Sequence, residues 1–215
     1  MAARQTEQFD KLIATRKIVK RGDPLFRSGD RFKSLYVVGT GFLKSTVAST
    51  GGREQITGYH IAGELFGWDG INSGRHMFDA VALEDTEVLV LPYGRLEAAA
   101  SVMPMLLTHI HKTMSREIVR DHQLMLVLGS MRAEERLAAF LLSLSQRFKA
   151  RGYAHNDFNL RLSRAEIGSF LGLQLETVSR AFSRFVRDGL IEVNQKHVRI
   201  INAAGLRQAV IGVPG

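Results

Sequence analysis

The spacing of apolar residues changes character twice along the chain. Up to about Pro92, apolar positions come in short runs cut by glycine. Leu35 to Val38 ends at Gly39, Phe42 to Val47 follows Gly41 with rough alternation, and Gln55 to His60 comes after the turn signal Thr50-Gly51-Gly52. A period of two puts every second side chain on one face of a strand, and glycine supplies the turns. Glycines at 63, 67, 70 and 74 cut the next stretch into pieces too short for helices, and Val81 to Leu91 resumes strand character. Closely spaced short strands of this kind predict a β-sandwich or barrel, here a β-roll.

From Ser101 to Leu128 the period becomes helical, with Pro104 suited to a first turn because its missing N–H costs nothing there. Leu107, His111, Met114, Ile118, Asp121, Met125 and Leu128 step alternately by four and three, the seam of a helix that pairs with a twofold mate. A helix lying on its own β-domain would show a similar period. Asp121 would repel its counterpart across such a seam unless it is neutralised, for instance by Arg120 or His122, or turned to solvent. Gly129-Ser130 is expected to end this helix and mark a hinge. Ala133 to Lys149 is the next helix, with Leu137, Phe140, Leu141 and Leu144 on one face. Arg151-Gly152 ends it, and Ala154 to Leu160 reads as a polar connection.

The last segment carries the most specific pattern. Ser163-Arg164-Ala165-Glu166 has the form of a capping box and precedes the apolar Ile167, Phe170 and Leu171. Gly172 then marks a turn. Val178, Phe182 and Phe185 form the buried stripe of a second helix, whose opposite face carries Glu176, Ser179, Arg180, Ser183 and Arg184. Leu190 to Val193 and His197 to Ile201, joined by Asn194-Gln195-Lys196, form a hairpin with a basic tip. Helix, turn, arginine-bearing helix and wing in that order predict a winged helix-turn-helix. Arginine binds guanine O6 and N7 bidentately, a carboxylate accepts from cytosine N4, and serine serves a base or a phosphate. Glu176, Thr177, Ser179, Arg180, Ser183, Arg184 and Lys196 are therefore the candidate DNA contacts. An amphipathic helix pair with a solvated face, or one that contacts protein, is the bland alternative.

Charge supports the DNA reading. The net charge is +8, of which Met1 to Leu128 carries +2 and Gly129 to Gly215 carries +6. Phosphate neutralisation supplies most sequence-independent affinity for nucleic acid, although a basic solvated face gives the same count. There is no cysteine, which removes disulfides, thiol catalysis and any cysteine-held iron-sulfur cluster. The longest apolar runs fall far short of the about 20 residues that cross a bilayer, and Met1 to Asp10 has no signal-peptide core. The expectation is a cytoplasmic protein with no membrane partner. No nucleophile elbow, phosphate-cradling loop or histidine metal motif emerges, so no enzyme activity and no metal are expected.

The chain resembles the Crp/Fnr superfamily of bacterial transcription regulators, and within it the Fnr branch, over roughly residues 20 to 202. The resemblance rests on Lys33-Ser34-Leu35-Tyr36, Glu54 to His60, Ile61-Ala62-Gly63-Glu64-Leu65, Ala133 to Phe140 and, above all, Glu176-Thr177-Val178-Ser179-Arg180. It implies an α+β fold: a β-roll resembling cyclic-nucleotide-binding domains over 1–100, a dimerisation helix over 101–129 and a winged helix-turn-helix over 130–215. It also implies a homodimer on double-stranded DNA that works with RNA polymerase. In the Fnr branch the matching glutamate, serine and arginine read TTGAT-type half-sites in an inverted repeat. The branch's cluster cysteines are absent, Leu89 standing at the β-roll position. An effector site by analogy would use Gly63, Glu64, Arg75 and His76. The cassette that cyclic-nucleotide binders use is replaced here by Gly74-Arg75-His76-Met77-Phe78-Asp79, so no cofactor is expected. A cyclic-nucleotide- or haem-responsive regulator, through His76 or His60 for haem, and a small-ligand module that binds no DNA remain the alternatives.

Overall fold

The computed structural model describes residues 14–48 and 54–211. Met1 to Asp10 and the Thr50-Gly51-Gly52 turn lie outside the described residues. Packing divides the chain into two compact units, Met1–Val119 and Arg120–Gly215.

Among the described residues the first unit holds eight strands: β1 (Thr15–Val19), β2 (Pro24–Phe26), β3 (Ser34–Thr40), β4 (Phe42–Ala48), β5 (Glu54–Ile61), β6 (Leu65–Phe66), β7 (Asp79–Ala82) and β8 (Thr86–Pro92). They form two antiparallel four-stranded sheets, ordered β1-β8-β3-β6 and β2-β7-β4-β5. The core between them draws Val19, Val38, Phe66 and Val88 from one sheet and Leu25, Phe26, Leu43, Ala80 and Ala82 from the other. The β4–β5 ladder shifts register so that Ser45 faces Gly58 while Thr46 faces Ile56. Thr57 is the extra residue of this bulge, and it lets Ile56 and Tyr59, three apart, both be buried.

Two features of this unit differ from the pattern-based expectation. Val81 to Leu91 is not one strand: Leu83 to Asp85 form a corner between β7 and β8, which lie in different sheets. The corner is fixed by Asp85, whose carboxylate accepts from Lys20 Nζ and the Arg21 N–H, and by Thr86, whose hydroxyl donates to the Glu84 carbonyl. Helix α1 (Tyr93–Val102) also precedes the long helix, where no separate helix was expected; its buried residues are Leu96 and Ala100, one turn apart. Met103 is extended before Pro104, as the proline ring requires, and α2 (Pro104–Ser130) starts there.

Helix α2 buries no residue completely. Leu106 and Ile110 pack on the cluster of Leu35, Leu91 and Leu96, so one face lies on the β-roll. The adjacent face carries the residues expected to form the seam. Leu107, His111, Ile118, Asp121 and Met125 are exposed in the single chain, and Met114 and Leu128 are half-buried. The helix continues through Gly129, and the break falls at Met131-Arg132 instead.

In the second unit, α3 (Ala133–Lys149) has the expected bounds and buries Leu137, Phe140, Leu141 and Leu144. The expected polar connection contains a strand, β9 (Asp157–Asn159), that buries Phe158 and pairs with β11. After it come α4 (Arg164–Leu171), α5 (Leu175–Arg187), β10 (Ile191–Asn194), β11 (His197–Ile200) and α6 (Ala203–Ile211). The sheet order is β10-β11-β9. No helix among the described residues is long and apolar enough to cross a membrane.

Candidate nucleic-acid interface

Helix α4 begins at the capping box. The Ser163 hydroxyl accepts from the Glu166 N–H at 3.2 Å, and Glu166 Oε2 accepts from the Ser163 N–H at 2.8 Å. It ends at Gly172, whose φ of 64° is the left-handed conformation glycine adopts without strain. The turn is tight: a Cβ on Gly168 would come within 2.5 Å of the Leu173 carbonyl oxygen, so that position admits only glycine. These two glycines set the angle at which α5 leaves α4.

Helix α5 is divided sharply by polarity. Val178, Ala181, Phe182 and Phe185 are buried, while Glu176, Arg180, Ser183, Arg184 and Arg187 are exposed and Thr177 and Ser179 are half-buried. Six of the seven candidate contacts thus lie on one helix. Among the described residues the Arg180 guanidinium makes only a long hydrogen bond, 3.4 Å from Nη2 to Thr177 Oγ1, and it is exposed to solvent. Arg184 is committed differently: Nη1 donates to Glu134 Oε1 and Oε2 at 2.8 and 3.0 Å, and Nε lies 3.6 Å from Asp188 Oδ2. These carboxylates, Glu134 foremost, raise its pKa above the usual arginine value. Lys196 stands apart, exposed in the two-residue turn between β10 and β11, where Gln195 takes φ 55°. The hairpin is tied to β9 from the turn inward: Asp157 of β9 accepts from His197, the first residue after the turn, and from Arg199 of β11, and these partners, His197 first, hold its carboxyl below the usual range.

Arg164, absent from the sequence-derived candidates, emerges here. Its guanidinium carbon sits 3.2 Å from the centre of the Phe182 ring, and desolvation lowers its pKa to about 10, which leaves it cationic at neutral pH. A cation in the first turn opposes the helix dipole, a signal legible in the sequence. Its aromatic seat, 18 residues away, was not.

Residues 135–209 match the Crp-like helix-turn-helix domain, and residues 16–101 match the cyclic nucleotide-binding domain. The chain is 47% identical over 210 residues to the transcriptional regulatory protein btr of Bordetella pertussis, spanning 98% of this chain and 87% of that protein. It belongs to the Crp/Fnr family of transcription regulators. The fumarate and nitrate reduction regulatory protein of Escherichia coli K12 is 41% identical over 204 residues, 95% of this chain and 82% of its own. FixK2 from Bradyrhizobium japonicum superposes with a TM-score of 0.84 at 29% identity, over 94% of this chain and all of FixK2.

In this Crp/Fnr regulator the β-roll candidates are not gathered into a comparable open face. Glu64 is buried, and its Oε2 accepts from the Ile61 N–H at 3.0 Å, while the Gly63 N–H donates to the Val38 carbonyl. The Arg75 guanidinium donates to the Gly29 carbonyl at 2.7 Å. His76 is only 2% exposed, its Nδ1 lies 3.2 Å from Asp69 Oδ1, and its ring stacks on Phe26 with centroids 3.6 Å apart. Burial pushes the Asp69 carboxyl up, but hydrogen bonds from His76 and the Met77 and Phe78 N–H groups outweigh it and hold the carboxyl low. His60 bonds Ser45 at 2.8 Å and stacks on Phe66.

Proposed function

We propose that this DNA-binding regulator recognises, as a homodimer, an inverted repeat of TTGAT-type half-sites. Glu176, Ser179 and Arg180 read bases, Thr177, Ser183, Lys196 and Arg164 meet phosphates, and Arg184 supports the helix. The observation that carries this is the polar face of α5, where Arg180 and Glu176 stand exposed above a stripe of buried aromatic residues. That separation leaves the carboxylate free to accept from cytosine and the guanidinium free to grip guanine. Arg164 adds a cation held rigidly by Phe182, suited to a phosphate because desolvation has already stripped part of its water. The dimer places Leu107, His111, Met114, Ile118, Asp121, Met125 and Leu128 against their twofold mates, which covers apolar residues that one chain leaves open. The two α5 helices then enter major grooves about one helical turn apart.

The protein catalyses nothing in this scheme. It acts in the cytoplasm on DNA and, through it, on RNA polymerase. The β-roll residues do not favour a cyclic nucleotide: Asp79, bonded to the Ser28 N–H, puts a negative charge in the segment that would meet a phosphate, and one donor of Arg75 is engaged by the Gly29 carbonyl. They present no open haem ligand either: His76 Nε2 is buried, without a hydrogen-bond partner among the described residues, and His60 Nε2 bonds Ser45. A mobility-shift titration tests the scheme, with the TTGAT inverted repeat against a scrambled duplex of equal length. The expected result is at least about a thousandfold preference, the low end for specific over non-specific binding. Equal affinity for the two duplexes would overturn it.

A further inference from the structure

Only Met131 and Arg132 separate the end of α2 from α3, and the first turn of α3 reaches both helices of the helix-turn-helix. Arg136 spans two carbonyls: Nε donates to Met131 O at 2.9 Å, and Nη1 donates to Leu171 O, in the last turn of α4, at 3.0 Å. The turn glycine is held against the same groups, since a Cβ on Gly172 would lie 3.4 Å from Arg136 Nη1 and 3.9 Å from Leu128 Cδ2. Two residues earlier, Glu134 takes Arg184 of α5 with both carboxylate oxygens. Glu135 cannot serve in this way, because its Oε2 accepts from the Arg132 N–H and caps α3.

We propose that Glu134 and Arg136 are positioning residues for DNA recognition: together they fix α5 and the α4–α5 turn to the junction that follows α2. Glu134 also keeps the Arg184 charge matched, so that this arginine serves as a helix tether and adds little to sequence-independent attraction. The proposal rests on α5 being the DNA-reading helix. Exposure argues that the Glu134–Arg184 pair is not there for stability, because both side chains are about half open to solvent and such pairs contribute little to folding. What the pair does determine is where a cation stands beside the reading face. Arg136 cannot be replaced by lysine in its role, since a single ammonium on a flexible stem cannot hold two carbonyls with the fixed fork of a guanidinium.

The test compares wild type, Glu134→Gln, Arg136→Lys and the double variant Glu134→Gln/Arg184→Ala, using the full chain, on the TTGAT repeat and on a scrambled duplex across a salt series. Glu134→Gln removes the nearer carboxylate from a cation in each subunit, leaving it only the looser Asp188 at 3.6 Å. The dependence of log affinity on log salt should steepen by about one unit or more, and the preference for the repeat should fall several-fold as scrambled DNA gains most. Adding Arg184→Ala should return the slope to wild type or below. Arg136→Lys keeps the charge, so its slope should stay put while affinity for the repeat alone falls about tenfold, with the circular dichroism of a folded protein retained. If Glu134→Gln leaves slope and preference unchanged, or shifts them equally with and without Arg184, the proposal is overturned; an unfolded Arg136→Lys leaves that decision to the glutamate variants. Wild type that binds DNA without preferring the repeat removes the half-site assignment alone, because the slope comparison still decides the tether. Wild type that binds neither duplex overturns both.

Discussion

The polar face of α5, proposed to read DNA, and the candidate effector cluster of the β-roll hold similar chemistry, a glutamate, an arginine and small polar partners, but they use it oppositely. On α5, Glu176 and Arg180 project into solvent with most of their hydrogen-bonding capacity unspent. In the β-roll, Glu64 is turned onto the Ile61 N–H, Arg75 onto the Gly29 carbonyl and His76 onto Asp69, all within the domain's own turns. A polar group engaged by its own chain offers a ligand less, because binding must first break what folding made. This holds most fully for Glu64, since exposed Arg75 spends one donor and His76 Nε2 is buried without a hydrogen-bond partner among the described residues. The likeness of residue types therefore says less about function than whether their donors and acceptors remain free.

That contrast gives its largest expected effect at His76. Replacing it by Ala removes a buried ring stacked on Phe26 and takes one hydrogen-bond partner from Asp69, which keeps the Met77 and Phe78 N–H groups, so the β-roll should lose about 2–4 kcal/mol in denaturant unfolding. The acid limb should change too. Asp69 is held low, so its contribution is present above the ordinary carboxylate value and lost as pH falls through its depressed one; without His76 that dependence should flatten. DNA affinity of the folded variant should stay near wild type. Unchanged stability with lost DNA binding would reverse the assignment and make His76 a functional group.

Arg180→Ala is the mirror case. Exposed and loosely bonded, it should alter unfolding by less than about 0.5 kcal/mol yet cost about 1–3 kcal/mol of affinity and relax the preference at one guanine. A ranking of operator variants identical to wild type would remove α5 as the reader. Lys196→Ala should do less: a uniform weakening on every duplex, with the salt slope reduced by about one and no change in preference.

The smallest effect concerns the seam. Desolvation holds the Asp121 carboxyl above its ordinary value, against the pull of Arg120 and His122. That shift belongs to the single chain; bringing two such carboxylates together would raise them further, and it is this additional shift that should make the dimer tighten on mild acidification. Asp121→Ala should then tighten it at neutral pH and remove the pH dependence. Sedimentation at several concentrations and pH values reads both, and a dimer indifferent to both changes would put Asp121 outside the interface.

How much of this was legible depended on how far apart the interacting residues lie. The capping box, the Gly172 turn and the Val178–Phe182–Phe185 stripe are local patterns, and α4 and α5 form where they indicate. Helix α3 was equally legible, since its apolar face repeats within 17 residues. Strand β9 was hidden because three residues pair only with β11, some 40 positions on, and the polar ends of Asp157-Phe158-Asn159 mask its one buried side chain. The corner at Leu83 to Asp85 is held by Lys20 and Arg21, again remote. In the candidate site, the types and face of the α5 residues could be read from spacing. That Arg184 is taken by Glu134, that Arg164 rests on Phe182 and that Arg75 is spent on Gly29 are facts of tertiary contact that no periodicity encodes.

The central claim, that two α5 helices of a twofold dimer read the two halves of an inverted repeat, is tested most directly by hydroxyl-radical footprinting of the full chain on the TTGAT repeat. It predicts two protected patches of equal strength, centred about one helical turn apart and filling together as protein is added. A single protected half-site occupied by a monomer would contradict it.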